Sequence, residues 1–150
     1  MTDERFEKIY LTALRICAEE GDENAVQELR ESFEAALKAA ETENAAAQFS
    51  LAQHYEYGFG TAEAETEAAK WYKKAALNRH ATAMWYVAWS YRGVEGYEQE
   101  YNEWRKKAAF AFHAEGKIDY ALHCLRGEIL DDEELIALRD ELERKNREKE

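Results

Sequence analysis

The sequence predicts an all-α fold: a right-handed superhelix of three to four antiparallel helical hairpins, closed by a C-terminal capping helix. The composition points there first. The chain has no proline and only 7 glycines in 150 residues, and it is rich in Ala and Glu, which favour helix. The second observation is an internal repeat. Ala47, Leu51, Ala52, Tyr55 and Gly60 recur 36 residues later as Ala83, Val87, Ala88, Tyr91 and Gly96. The third is that Trp71-x-x-Lys74-Ala75-Ala76 returns 33 residues on as Trp104-x-x-Lys107-Ala108-Ala109. A period in this range marks stacked helical hairpins, because each unit can bury its apolar face only against a neighbour. A partial third copy begins at Ala121, with Leu125 in the place of Leu51.

Apolar spacing and stop residues then predict each element. A helix over 3–20 carries Phe6, Ile9, Tyr10, Ala13, Leu14, Ile16 and Cys17 as its stripe and stops at Gly21. Asp22 caps the next helix, 23–42, whose stripe is Val26, Leu29, Phe33, Ala36 and Leu37. Helix three covers 45–57 and exits through Gly58 and Gly60, both suited to left-handed backbone. Thr61 is the expected cap of a helix running to 78. Helices over 81–92, 97–115 and 118–126 follow, stopping at Gly93, Gly116 and Gly127. The last helix, 132–148, opens on acids from Asp131 and ends on Arg144, Lys145 and Arg147, which suits the helix dipole. The expected organisation is one domain: a divergent hairpin (1–43), repeat one (44–79), repeat two (80–116), a partial repeat (117–127) and the capping helix (131–148).

The net charge is −12, unevenly spread. Residues 1–43 hold 12 acids against 5 bases and residues 128–150 hold 10 against 5, while residues 44–127 balance at 10 and 10. The repeat body is neutral and the ends are acidic, as a helical stack needs for soluble ends. No basic stripe is present, so nucleic acid is not the expected partner. No apolar run of membrane-spanning length and no signal-peptide core appears. The two cysteines, Cys17 and Cys124, have no metal or redox spacing, so the expected setting is a reducing cytoplasm.

Residues 44–78 resemble a Sel-one-like repeat, a relative of the tetratricopeptide repeat. The residues that carry the resemblance are Ala47, Phe49, Leu51, Ala52, Tyr55, Gly58, Gly60, Thr61, Ala68, Trp71, Tyr72, Lys74, Ala75 and Ala76. The second unit keeps Ala83, Trp85, Val87, Ala88, Tyr91, Trp104, Lys107, Ala108 and Ala109, with a shorter loop and Tyr101 in an alanine place. The usual loop aspartate is Ala64 here, so the following helix is expected to start differently. The resemblance implies an α-solenoid that acts as an adaptor for protein partners. It also implies no disulfide staples, since the paired cysteines of some secreted members are missing.

If the repeated positions build the stack, the remaining first-helix positions are expected to line its concave face, where a protein or peptide partner would bind. In register these are Gln48, Met84 and Leu122; Ser50, Tyr86 and Cys124; Gln53 and Trp89; His54 and Ser90. Tyr86 and Trp89, with Met84, Gln53, His54, Ser50 and Ser90, form the expected groove for a peptide or partner helix. The competing expectation is that residues 117–148 fold over this face and bury it, since large apolar patches are uncommon on soluble monomers. A second function class is a small acidic inhibitor or immunity-type protein that blocks a basic target. A third is an enzyme on the same stack.

The histidines His54, His80, His113 and His123 show no metal-binding spacing, and the carboxylates no catalytic arrangement, so no metal, cofactor or catalytic residue is assigned. His123 and Cys17 are expected to be packed, and in Arg105-Lys106-Lys107 the packed member is expected to be Lys107. The expected state is a monomer.

Overall fold

A computed structural model describes residues 4–126 and 132–149. Among these residues there are eight helices: α1 (Glu4–Glu19), α2 (Glu23–Ala40), α3 (Ala45–Tyr57), α4 (Glu65–Leu77), α5 (Ala81–Tyr91), α6 (Glu98–Ala114), α7 (Ile118–Leu125) and α8 (Glu133–Glu148). They form two compact units, residues 1–78 and 79–150. In the first, α1 packs on α2, α2 on α3 and α3 on α4; in the second, α5 packs on α6, α6 on α7 and α7 on α8. Each unit is thus a pair of helical hairpins. The stop expected at Gly127 and the acidic start at Asp131 lie outside the described residues, as do residues 1–3.

Polar side chains cap the starts of four helices. The Asp22 carboxylate accepts from the Asn24 and Ala25 amides, Asn44 from Ala47, and Asp132 from Glu134 and Leu135. His80 caps α5, its Nδ1 accepting from the Ala83 amide at 3.1 Å. Thr61 does not cap α4. That helix begins at Glu65, and Ala64 stands at its cap position without a side-chain bond. The loop is held by its backbone instead, the Ala64 amide donating to the Tyr55 carbonyl at 2.9 Å.

The repeated small residues sit where helices meet. Ala52, Ala75, Ala83, Ala88, Ala108, Ala109 and Ala121 are all 0% exposed, and a methyl group lets helix backbones approach closely. The repeated Trp-x-x-Lys has its own reason. The Lys74 ammonium lies 4.1 Å from the Trp71 ring centre, and the Lys107 ammonium 4.4 Å from that of Trp104. Each pair is a cation–π contact one helical turn long.

The first unit is centred on a residue whose packing role the sequence pattern hides. Phe59, in the loop after α3, is 0% exposed and packs on Leu11 of α1 and Leu29 of α2. Its neighbours Gly58 and Gly60 take φ of 68° and 72°. At Gly60 the α2 backbone is so near that an added Cβ would stand 2.1 Å from the Leu29 carbonyl oxygen. The stripe assigned to α1 is also corrected. Leu11 is the buried residue, backed by Leu14 and Ala18, while Phe6, Ile9, Tyr10, Ala13, Ile16 and Cys17 are exposed. Cys17 is therefore not a core residue; a helix has room for one inward face, and Leu11, Leu14 and Ala18 occupy it.

Two variants test the loop. Gly60→Ala should lower unfolding free energy in urea by at least about 2 kcal/mol, because the methyl meets backbone that cannot rotate away. Gly116→Ala, whose methyl would meet nothing within 4 Å, should cost only its left-handed strain, about 1 kcal/mol.

Candidate functional site

The expected contact residues divide by unit and by burial. In the first unit, Gln53 and His54 are 7% and 1% exposed. His54 is an interior polar group, not a groove residue. The Ser50 carbonyl lies 2.7 Å from its Nδ1 and the Ser32 hydroxyl 2.8 Å from its Nε2. A carbonyl only accepts, so Nδ1 carries the proton and Nε2 accepts from Ser32. Phe59 meets the ring edge-on at 5.9 Å, with Phe33 at 6.3 Å. Ser50 is half-buried and donates to Glu7 of α1 at 3.0 Å. Gln48 is buried and accepts from Asn78 at 2.8 Å. His54, Ser50 and Gln48 thus tie α3 to α2, to α1 and to Asn78 at the end of α4.

In the second unit, α5 buries Ala81, Ala83, Met84, Val87 and Ala88. Met84 belongs to the interior, as do Leu122 and Cys124 of α7. The opposite side of α5 carries Trp85, Tyr86, Trp89 and Ser90. Trp85 and Tyr86 are half-buried, Ser90 is exposed with its hydroxyl on the Val87 carbonyl, and Trp89 is 52% exposed. The two indoles lie 5.7 Å apart, one turn along the helix. The Arg92 guanidinium stands 4.5 Å over Trp89, and His123 of α7 meets Trp85 edge-on at 5.4 Å. The result is a row of four side chains, Arg92, Trp89, Trp85 and His123. The C-terminal helices cover it only in part: α7 reaches Trp85 through His123, and Trp89 stays open.

Sequence reasoning expected Trp89 and Tyr86 to line the concave face of the stack, assigned Trp85 to packing and did not name Arg92. The i, i+4 step from Trp85 to Trp89 and the i, i+3 step to Arg92 were the available signs. His123 is exposed, touching the row with one ring face instead of packing inward.

The basic run is also re-sorted. Arg105, not Lys107, is the buried member, 2% exposed with its guanidinium 5.3 Å from the Tyr101 ring centre. Lys106 pairs with Asp132 and Glu134 at 2.8 and 2.9 Å, which raises its pKa, and Lys107 is spread over Trp104. Burial pushes the Cys124 thiol up to about 12, against the pull of Arg105, so it is no nucleophile at neutral pH. Among the described residues no group of three or more His, Cys, Asp or Glu could hold a metal ion, and no helix is long and apolar enough to cross a membrane.

Burial is the largest influence on His54 and lowers its pKa, while the Ser50 carbonyl and Glu7 partly oppose it. The folded chain therefore resists a proton that the unfolded chain accepts near pH 6.5. This contribution is present in full above about pH 6.5 and is lost as pH falls from there toward the lower folded value. Melting temperature should fall over this window, and a His54→Gln variant, less stable at pH 7, should show a shallower fall in the same scan.

No family model and no curated protein matches the chain. A solved structure does: a Sel1 repeat protein from Oxalobacter formigenes, with TM-score 0.52 and 25% sequence identity, over 65% of this chain and 47% of that one. The chain thus spans under half the length of that protein. Eight helices paired as consecutive hairpins, with small residues at their contacts, agree with that likeness: the protein has a Sel1-like repeat fold.

Proposed function

We propose that the chain is a non-enzymatic binding module that receives a protein or peptide partner on the outer face of α5, with Trp89 as the central contact and Trp85, Tyr86, Ser90, Arg92 and His123 around it. The observation that carries this is a tryptophan 52% exposed on a helix whose other side is fully packed. Tryptophan and arginine dominate binding hot spots, and an indole fixed by a neighbouring ring loses little freedom on contact. The repeat fold supports a scaffold role, since stacked hairpins present extended surfaces. Nucleic acid is disfavoured because Lys74 and Lys107 lie on indoles and Lys106 on two carboxylates. Cys17, an exposed thiol, suits a reducing cytoplasm.

Photo-crosslinking tests this. A benzophenone side chain at position 89 should capture one discrete protein in native cells, and the same group at exposed Glu63 should not. The captured protein, once purified, should bind the wild-type chain at least about tenfold more tightly than Trp89→Ala. That variant should lose no more than about 1 kcal/mol of stability, since only ring and cation contacts go. Binding should change little in high salt, whereas an acidic blocking surface would release its target. Equal capture from both positions, or unchanged affinity in Trp89→Ala, overturns the reading.

A further inference from the structure

Three side chains of α1 converge on one short segment, 57–60. The Lys8 ammonium donates to the Tyr57 hydroxyl at 2.9 Å and lies 4.4 Å over its ring. The Arg15 guanidinium donates to the Tyr57 carbonyl at 2.9 Å. Between them along the helix, Leu11 packs on Phe59. Elsewhere on α1, Glu7 accepts from Ser50 and Tyr10 donates to Glu28 of α2.

That segment rests in turn on His54. Phe59 stands edge-on to the imidazole at 5.9 Å, so packing runs from Leu11 through Phe59 to His54. The groups around the imidazole suit its neutral form. Helix α3 offers the Ser50 carbonyl, α2 offers the Ser32 hydroxyl and the Phe33 ring, and the loop offers Phe59. None of these is charged. Helix α1 contributes Glu7, whose carboxylate is engaged by Ser50 and acts on the ring by charge alone. A second proton would make His54 an enclosed cation, which is costly without water. Hydration requires the walls to part. Ser32, Phe33 and Ser50 belong to helices, and Phe59 is the wall that does not. His54 is also the only histidine in residues 1–78, and histidine is the side chain that changes charge in mild acid.

We propose that His54 is an acid-sensitive latch for α1: its protonation draws segment 57–60 off the imidazole, and α1, its anchors lost, leaves the first unit while α3 and α4 stay paired. Burial holds the imidazole below its ordinary pKa in the closed form, whereas in the released form it is wet and titrates near 6.5. Above about pH 6.5 the latch is closed. Each pH unit below that favours release by up to about tenfold, until the closed-form pKa is reached. Release bares Phe59 and Leu29, which α1 covers through Leu11.

Hydrogen–deuterium exchange of the full chain at about pH 7.5 and about pH 5.5, corrected for the intrinsic amide rate, reads this opening. Protection over α1 should drop at least about threefold, and up to about tenfold, at the lower pH. Protection over α4 should stay within about twofold. His54→Gln, which cannot titrate, should give α1 the same protection at both pH values. Because α4 is a reference within the same molecule, the wild-type comparison stands even if that variant folds poorly. Unchanged α1 protection overturns the proposal. So does an equal drop in α1 and α4, which would be opening of the whole unit, or a pH step that survives in His54→Gln.

Discussion

Helix backbones can lie this close only where the side chain between them is a methyl group. The alanines at 0% exposure recur at matching places in both units, and that recurrence is the repeat seen in the sequence. Leu or Val in their place would force the helices apart, since interiors packed at crystal-like density have no slack for added methylenes. Larger groups then fill the spaces that close approach leaves. Tyr72 packs against Phe49 and donates to the Glu56 carboxylate, while Trp71 and Trp104 carry lysines on their outer faces. In the first unit the same logic extends to a loop. Phe59 fills the gap between α1 and α2 because Gly60 lets the chain run against the α2 backbone.

Much of this was legible in the chain before any coordinates. Helix boundaries follow from glycines, caps and the absence of proline, and the observed ends differ from expectation by one or two residues except at α4. There Ala64 replaces a capping side chain, and nothing local marks where the helix should begin. The errors share a physical cause. A periodic apolar stripe says that a helix has an oily face, and it does not say which face points inward when there are two. Helix α1 has two, and the stripe chosen for it was the outer one apart from Leu14.

The candidate site shows the complementary limit. Repeat register identifies positions not needed for stacking, but His54, Gln53 and Met84 occupy such positions and are enclosed all the same. A buried histidine held by Ser32 and Ser50 has the same letter in the sequence as a ligand-facing one; only its surroundings differ. Arg105 is a parallel case, enclosed while the two lysines beside it reach outward. Conversely Trp85 was credited entirely to packing because its position repeats, although one edge of its ring meets His123 at the surface. Positional equivalence between repeats constrains the backbone more firmly than it constrains exposure.

The two thiols differ in a way that makes the chain its own clock. Cys17 stands in solvent, whereas Cys124, on α7, is buried and its thiol is pushed up to about 12. A disulfide reagent consumes the first at once and reaches the second only when the surrounding helices separate. The slow phase of such a reaction therefore times the opening of the second unit alone, without any label or substitution. Set beside the global unfolding rate, it reveals whether the two halves of this small protein breathe together or separately.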